Sequence, residues 1–138
     1  MICVNRQFGE ITYDEQDIVT FPEGLIGRKG SHKFLIIDDA RFMPFSWLVS
    51  VQEDNLAVPL LDPAVFLPDY RLDSDNGRGK SVFVVALFED KPERSSVNLR
   101  SPIIIDNNTR CGSHVILDSD LLPLRYPILP ALQPAGER

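Results

Sequence analysis

The sequence predicts a mainly β protein, a small closed or nearly closed antiparallel β-barrel with very little helix. Short apolar runs rich in β-branched and aromatic residues recur along the chain, and turn residues separate them. The runs at 82–88, 103–105 and 115–117 show no alternation of apolar and polar residues. Strands of that kind are covered on both faces, as in a small barrel or the centre of a sandwich.

The first half of the chain predicts an opening hairpin followed by four further strands. The hairpin pairs the strand that holds Ile2 and Val4 with the strand that holds Ile11 and Tyr13. Pro59 interrupts the last of the later runs and places it at a sheet edge or a bulge, because proline donates no ladder hydrogen bond. The four later strands are expected at 18–21, 34–37, 47–51 and 56–61.

The second half is organised around a predicted antiparallel pair. The runs at 103–105 and 115–117 flank a polar, Asn-rich break, and Pro102 requires pairing to begin after it or at a sheet edge. The run at 82–88 is the longest and predicts a central strand. We expect the barrel to be filled by its own side chains, among them Val84, Ile104 and Ile116. At 138 residues the chain predicts one domain over 1–127, with a flexible tail over 128–138.

The charge of the chain disfavours direct binding to nucleic acid. The net charge is −6 with a pI near 4.8, whereas binding to phosphates requires clustered Lys and Arg. An acidic surface favours a basic protein partner instead. No apolar run approaches the roughly 20 residues of a membrane helix, and the N-terminus lacks a signal-peptide pattern. These features predict a cytoplasmic protein with no membrane partner.

Motifs for catalysis, metals and cofactors are weak. His32 and His114 stand far apart without nearby ligands at metal-binding spacing. Cys3 and Cys111 are expected to be reduced and to act as small buried hydrophobes. The segment 79–81 ends like a phosphate-binding loop but precedes a strand rather than a helix. We therefore predict no catalytic residue, no metal and no cofactor, with a small barrel enzyme or ligand-binding domain as the alternative.

Several sequence blocks, taken in order, resemble the flagellar assembly factor FliW family. Asn98-Leu99-Arg100-Ser101-Pro102 followed by 103–105 is similar to its hairpin motif. The other blocks that carry the resemblance are Gly9-Glu10-Ile11, Asp17-Ile18-Val19-Thr20-Phe21-Pro22-Glu23-Gly24-Leu25, Pro44-Phe45-Ser46-Trp47-Leu48-Val49-Ser50-Val51, Asp62-Pro63 and Pro68-Asp69-Tyr70. The chain departs from the family pattern at Ile26, at Arg28 and at His114, which replaces a customary Gln.

The resemblance implies a compact, mostly β protein that acts by binding. FliW proteins bind the RNA-binding translational regulator CsrA away from its RNA surface, and they bind flagellin. Exchange between these partners couples flagellin synthesis to assembly. By resemblance, this chain is expected to bind a CsrA-type regulator and flagellin in the cytoplasm, in a chaperone-like role, and not to bind RNA itself.

A proline-framed loop is the predicted partner-binding site. It combines apolar side chains with one acid, and its prolines lower the ordering cost of binding. An alternative role for Phe66 and Tyr70 is to plug the end of the barrel. The predicted partner-binding residues are Pro63, Phe66, Pro68, Asp69 and Tyr70.

Overall fold

A computed structural model describes residues 1–65, 67, 79–91, 94–117 and 122–128. Its helical content there is limited to short 3-10 turns, among them Glu15–Asp17, Ala40–Phe42 and Pro63–Val65. The strands, in chain order, are β1 (Ile2–Asn5), β2 (Gly9–Thr12), β3 (Val19–Thr20), β4 (Lys33–Asp38), β5 (Phe45–Ser50), β6 (Ala57–Leu61), β7 (Lys80–Leu87), β8 (Ser96–Asp106), β9 (Cys111–His114) and β10 (Tyr126–Pro127).

Seven of these strands form a closed barrel. Their order is β8-β7-β6-β5-β4-β3-β9, and β9 pairs again with β8, which closes the ring. Neighbours are antiparallel except β3 and β9, which run parallel through the pair Thr20 and Cys111. β1 and β2 form a separate hairpin, and β10 pairs with the first half of β8 along the edge opposite β7. The prediction of a mainly β, closed antiparallel barrel is confirmed.

β8 is a long strand in two halves, with an irregular segment between them. β7 pairs with residues 103–106 and again with residues 96–98, and only Val84 stands opposite the residues between. The Asn98 side chain accepts hydrogen bonds from the backbone N–H groups of Arg100 and Ser101, at 2.9 and 3.1 Å. Pro102 lies in this gap, and the β9 ladder begins after it at Ile103. The expectation for Pro102 is therefore confirmed.

Pro59 lies in an interior strand that is paired on one side only at that position. β6 lies between β5 and β7, and Pro59 stands opposite Trp47 of β5. The ladder with β7 covers only Leu60 and Leu61. β6 is therefore not an edge strand, the first of the two positions predicted for Pro59, but Pro59 itself has no partner on the β7 side. This position tolerates proline because no N–H donor is needed there.

The barrel interior is filled by apolar side chains from every side of the ring. Phe21 and Phe34 pack edge to face, with ring centroids 5.3 Å apart. Gly112 of β9 lies directly against Phe21, since a Cβ placed there would come within 2.4 Å of the ring. The buried members of this interior cluster are Val19, Phe21, Leu25, Phe34, Leu48, Leu56, Leu60, Ile103 and Ile105.

A second buried cluster lies on the outer side of β6, β7 and β8. Neighbouring residues of β7 divide between the two clusters, because Val84 and Ala86 join the outer one while Phe83 and Val85 pack on the interior. Residues 122–128 cover this outer cluster through Leu122, Tyr126 and Ile128. Residues 83–86 of the non-alternating run at 82–88 are therefore covered on both faces, as the pattern indicates, whereas Leu87 and Phe88 at its end are exposed.

Several single-residue expectations need correction. Val84 is fully buried, but in the outer cluster rather than inside the barrel. Ile104 is only half-buried, because it alternates with the interior residues Ile103 and Ile105. Ile116 is 69% exposed and follows the end of β9, so the run at 115–117 is not covered on both faces. Cys111 is exposed rather than buried, whereas Cys3 is buried.

Of the predicted tail over 128–138, the structure describes only the first residue, Ile128. Ile128 is buried in the outer cluster, and its backbone N–H donates to the carbonyl of Ser95. Residues 129–138 lie outside the described residues.

Candidate functional site

The predicted partner-binding loop follows β6. Pro63 is buried in the 3-10 turn Pro63–Val65, and its carbonyl accepts a hydrogen bond from the Leu67 N–H at 2.7 Å. Asp62 precedes the turn and accepts from the Ala64 N–H at 2.9 Å. Pro63 is therefore a buried residue that supports the start of the loop. The other four predicted residues, Phe66, Pro68, Asp69 and Tyr70, lie outside the described residues, so their role stays a prediction.

Beside this loop, five aromatic rings form a continuous group on the outside of the barrel. Trp47 is central, with ring centroids 5.8 Å from Phe8, 5.4 Å from Phe42 and 6.2 Å from Phe88. Phe45 joins through Phe88 at 5.0 Å. Here these five rings together with Met43 are called the aromatic surface. It adjoins the predicted loop, because Phe45 pairs with Leu61 at the end of β6.

The aromatic surface is partly open to solvent. Met43 is 74% exposed and Phe88 is 46% exposed, while Trp47 is only 7% exposed and supports the rings around it. The indole N–H of Trp47 has no hydrogen-bond partner in the part of the chain that the structure describes. Contiguous exposed apolar groups of this kind are typical of sites of protein association.

Acidic residues border the aromatic surface. A groove of about 390 Å³ holds Asp38 and Asp39 beside Met43 and Phe45. Arg41 binds Asp39, with its Nη2 2.6 Å from Oδ2, and also lies over the Phe42 ring at 5.4 Å. The hydrogen bonds from Arg41 to the Asp39 side chain lower the pKa of that carboxyl, so it is ionised at neutral pH.

A second candidate region lies around His114, at the end of β9. Its Nδ1 accepts the backbone N–H of Ile26 at 3.0 Å, and its Nε2 lies 3.2 Å from the Ser101 carbonyl. This pair of contacts requires the neutral ring with its proton on Nε2, because Nδ1 must accept while Nε2 donates. Burial lowers the pKa of His114, which favours the same neutral form.

His114 and Ile26 also stand between two grooves. A groove of about 660 Å³ holds Glu23, Lys29 and Ser113. A groove of about 370 Å³ on the other side holds Leu87, Leu124 and Arg125. The contact between Ile26 and His114 therefore fixes the wall that separates them.

The described residues offer little for metal or nucleophilic chemistry. No three His, Cys, Asp or Glu side chains among them group as metal ligands would. Burial raises the pKa of the Cys3 thiol, which disfavours the reactive thiolate. The helical turns that the structure describes include none with the length and apolar character needed to cross a membrane.

Sequence reasoning missed the aromatic surface as a unit, although every ring was visible. The rings come from four separate places: the turn after β1, the 3-10 turn Ala40–Phe42, strand β5, and the residue after β7. Phe45 and Trp47, two residues apart on one strand face, were the available signal. Their partners depend on which strands meet, which the sequence pattern alone does not specify.

The chain is similar to known proteins over almost its whole length. The family model described as FliW protein matches residues 3–128. The flagellar assembly factor FliW of Caldanaerobacter subterraneus subsp. tengcongensis is 36% identical, over 94% of this chain and 94% of the relative. The chain belongs to the FliW family. The family resemblance found in its sequence blocks is thereby confirmed.

Other FliW proteins match over similar lengths. The flagellar assembly factor FliW of Thermoanaerobacter pseudethanolicus is 34% identical, again over 94% of both chains. A crystal structure of the flagellar assembly factor FliW superimposes with a TM-score of 0.86 at 25% identity, covering 94% of this chain and 98% of that chain. The closed barrel is therefore the FliW fold.

Proposed function

We propose that this protein is a flagellar assembly factor that acts by binding other proteins in the cytoplasm. Its partners are a CsrA-type translational regulator and flagellin, and exchange between them couples flagellin synthesis to assembly. The observation that carries the proposal is the FliW match over residues 3–128, together with relatives described as flagellar assembly factors. The proposal assigns the chain no catalytic step.

The charge of the protein supports a mechanism for antagonising the regulator. An acidic body with net charge −6, docked beside the basic RNA surface of the regulator rather than on it, lowers the positive potential that attracts RNA. A conformational change in the regulator adds to this effect. By linkage, RNA then weakens the binding of this protein to the regulator by the same factor.

The packed barrel interior favours this function over the ligand-binding alternative. The interior is occupied by the rings of Phe21 and Phe34 and by branched aliphatic side chains. Even one added Cβ at Gly112 would overlap the Phe21 ring. A ligand inside this barrel would have to displace the core that holds the fold together.

A titration with labelled RNA and purified regulator tests the proposal at low and moderate salt. Added protein should release the RNA, and added flagellin should reverse the release by capturing the protein. The electrostatic contribution to RNA release should decrease as the salt concentration rises, because charges more than about 10 Å apart are screened at 0.1 M salt. RNA that stays on the regulator at saturating protein under both conditions would refute the antagonism. RNA binding by the protein alone would refute the acidic-partner argument.

A further inference from the structure

The aromatic surface combines two properties that a docking site needs. Met43 and Phe88 expose apolar area, and the nearly buried Trp47 holds the surrounding rings in fixed positions. Aromatic residues and Met are enriched at the centres of protein interfaces, where rigid anchors lose little entropy on binding. The exposed thioether chain of Met43 adds an adaptable contact.

The charges around this surface select the kind of partner. Asp38 and Asp39 line the groove beside Met43 and Phe45. Glu89 and Asp90 directly follow Phe88 in the sequence, and Lys91 comes next. Arg41 is held by Asp39, so its charge offsets that carboxylate. Asp38, Glu89 and Asp90 are exposed, and with only Lys91 next to them in the sequence they leave an excess of negative charge around the apolar centre.

We propose that the aromatic surface binds a short segment of a partner protein that carries apolar side chains next to lysine or arginine. The apolar side chains lie on Met43, Phe45 and Phe88, and the basic groups reach the neighbouring acids Asp38, Glu89 and Asp90. The groove of about 390 Å³ accommodates a few side chains rather than a folded domain. The location of the surface and the chemistry of its ligand are inferred from this geometry alone. Only the identity of the partner protein rests on the proposed function.

The fluorescence of Trp47 provides a direct test, since it is the single tryptophan of the chain. The probe is a synthetic amphipathic peptide of leucine, phenylalanine and lysine. The matched control is the same peptide with glutamate at every lysine position. The lysine peptide should shift the Trp47 emission saturably, and its affinity should fall as salt rises. An equal response to both peptides, or no response to the lysine peptide, would overturn the proposal.

Substitutions locate the binding to this surface. Met43→Ser and Phe88→Ser should each weaken the lysine peptide about tenfold, as expected when an interface anchor is truncated. Ile116→Ser is the matched control, because Ile116 is also an exposed apolar residue but lies outside the aromatic surface. Glu89→Gln together with Asp90→Asn should reduce the salt dependence. Met43 is so exposed that its variant should fold normally, and unchanged affinity in Met43→Ser would contradict the proposal.

The same variants separate this inference from the proposed function. If the wild-type protein binds purified CsrA-type regulator or flagellin, Met43→Ser and Phe88→Ser should weaken at least one of those complexes about tenfold. Unchanged affinity for both would refute the surface while leaving the proposed function intact. Binding of the lysine peptide by a protein that binds neither purified partner would support the surface and refute the proposed partners.

Discussion

Two pairs of phenylalanine rings in this protein have nearly the same geometry and very different surroundings. Inside the barrel, Phe21 and Phe34 meet at 5.3 Å with an interplanar angle of 80°. On the outside, Phe45 and Phe88 meet at 5.0 Å with an angle of 79°. The first pair is fully buried, whereas Phe45 is half-buried and Phe88 is 46% exposed.

The comparison separates ring contact from burial. An edge-to-face contact adds about 0.5–1.5 kcal/mol beyond area burial, and this contribution is available to both pairs. The larger contribution comes from apolar area removed from water, about 25 cal/mol per Å², and only the inner pair realises it fully on folding. The outer pair leaves part of its apolar area in water, and this is area that the proposed docking would bury.

The largest expected effect is on the inner pair. Phe34→Ala should lower the free energy of unfolding by about 3–5 kcal/mol, because it removes a fully buried ring and leaves a cavity against Phe21. Phe88→Ala is the matched variant on the surface and should cost about 1 kcal/mol. Urea unfolding of both variants measures the difference. Equal losses would mean that ring contact rather than burial decides the stability.

A second test compares neighbours on β8. Ile103 is fully buried inside the barrel, and Ile104 is half-buried on the opposite face. Ile103→Ala should cost about 2–5 kcal/mol, and Ile104→Ala less than half as much. The same urea experiment provides the measurement. A larger loss for Ile104 would show that the outer face of β8 contributes more than its exposure indicates.

A smaller effect is expected from overfilling the interior. Gly112→Ala places a methyl group against the Phe21 ring, which is itself buried and has little room to move. The expected cost is about 1–3 kcal/mol. Gly30→Ala is the control, since a Cβ there meets nothing within 4 Å. Combining Gly112→Ala with Phe21→Leu should recover part of the loss, and a double variant no better than Gly112→Ala would argue against the steric explanation.

Much of the fold could be predicted from sequence because strand pattern and turn residues are local. The pairing of β8 with β9 and the two-sided cover of residues 83–86 both follow from apolar runs and the breaks between them. The wrong expectations for Ile104 and Ile116 share one cause. A run of three apolar residues does not reveal which of them face inward, because that depends on register and on where the strand ends.

The candidate site was less accessible to sequence reasoning. The predicted loop stands out only by its composition, and of its five residues the structure describes only the buried Pro63. The aromatic surface depends on bringing Phe8, Phe42, Phe45, Trp47 and Phe88 together through the closed ring of strands. Such a surface is a property of tertiary pairing, so no local pattern specifies it.

The smallest effect on stability is expected at His114, a half-buried residue at the end of β9. The neutral ring joins the Ile26 N–H to the Ser101 carbonyl, and burial holds its pKa below the ordinary value of 6.5. As the pH falls, His114 therefore takes up its proton in the unfolded chain before it does so in the folded protein. Stability should be fully present above about pH 7.5 and should fall as the pH drops through 6.5 towards the lower folded pKa.

His114→Gln tests this directly, because an amide can accept from Ile26 and donate to Ser101 without titrating. Urea midpoints of the wild-type protein and the variant should agree at pH 8 and diverge between pH 7 and 5, with the wild-type protein losing more. The other groups near the ring, Glu23, Lys29 and Arg125, are common to both proteins, so the difference between the two curves isolates His114. Parallel curves would mean that His114 takes up its proton as readily in the folded protein as in the unfolded chain, and the wall between the two grooves would then not respond to pH.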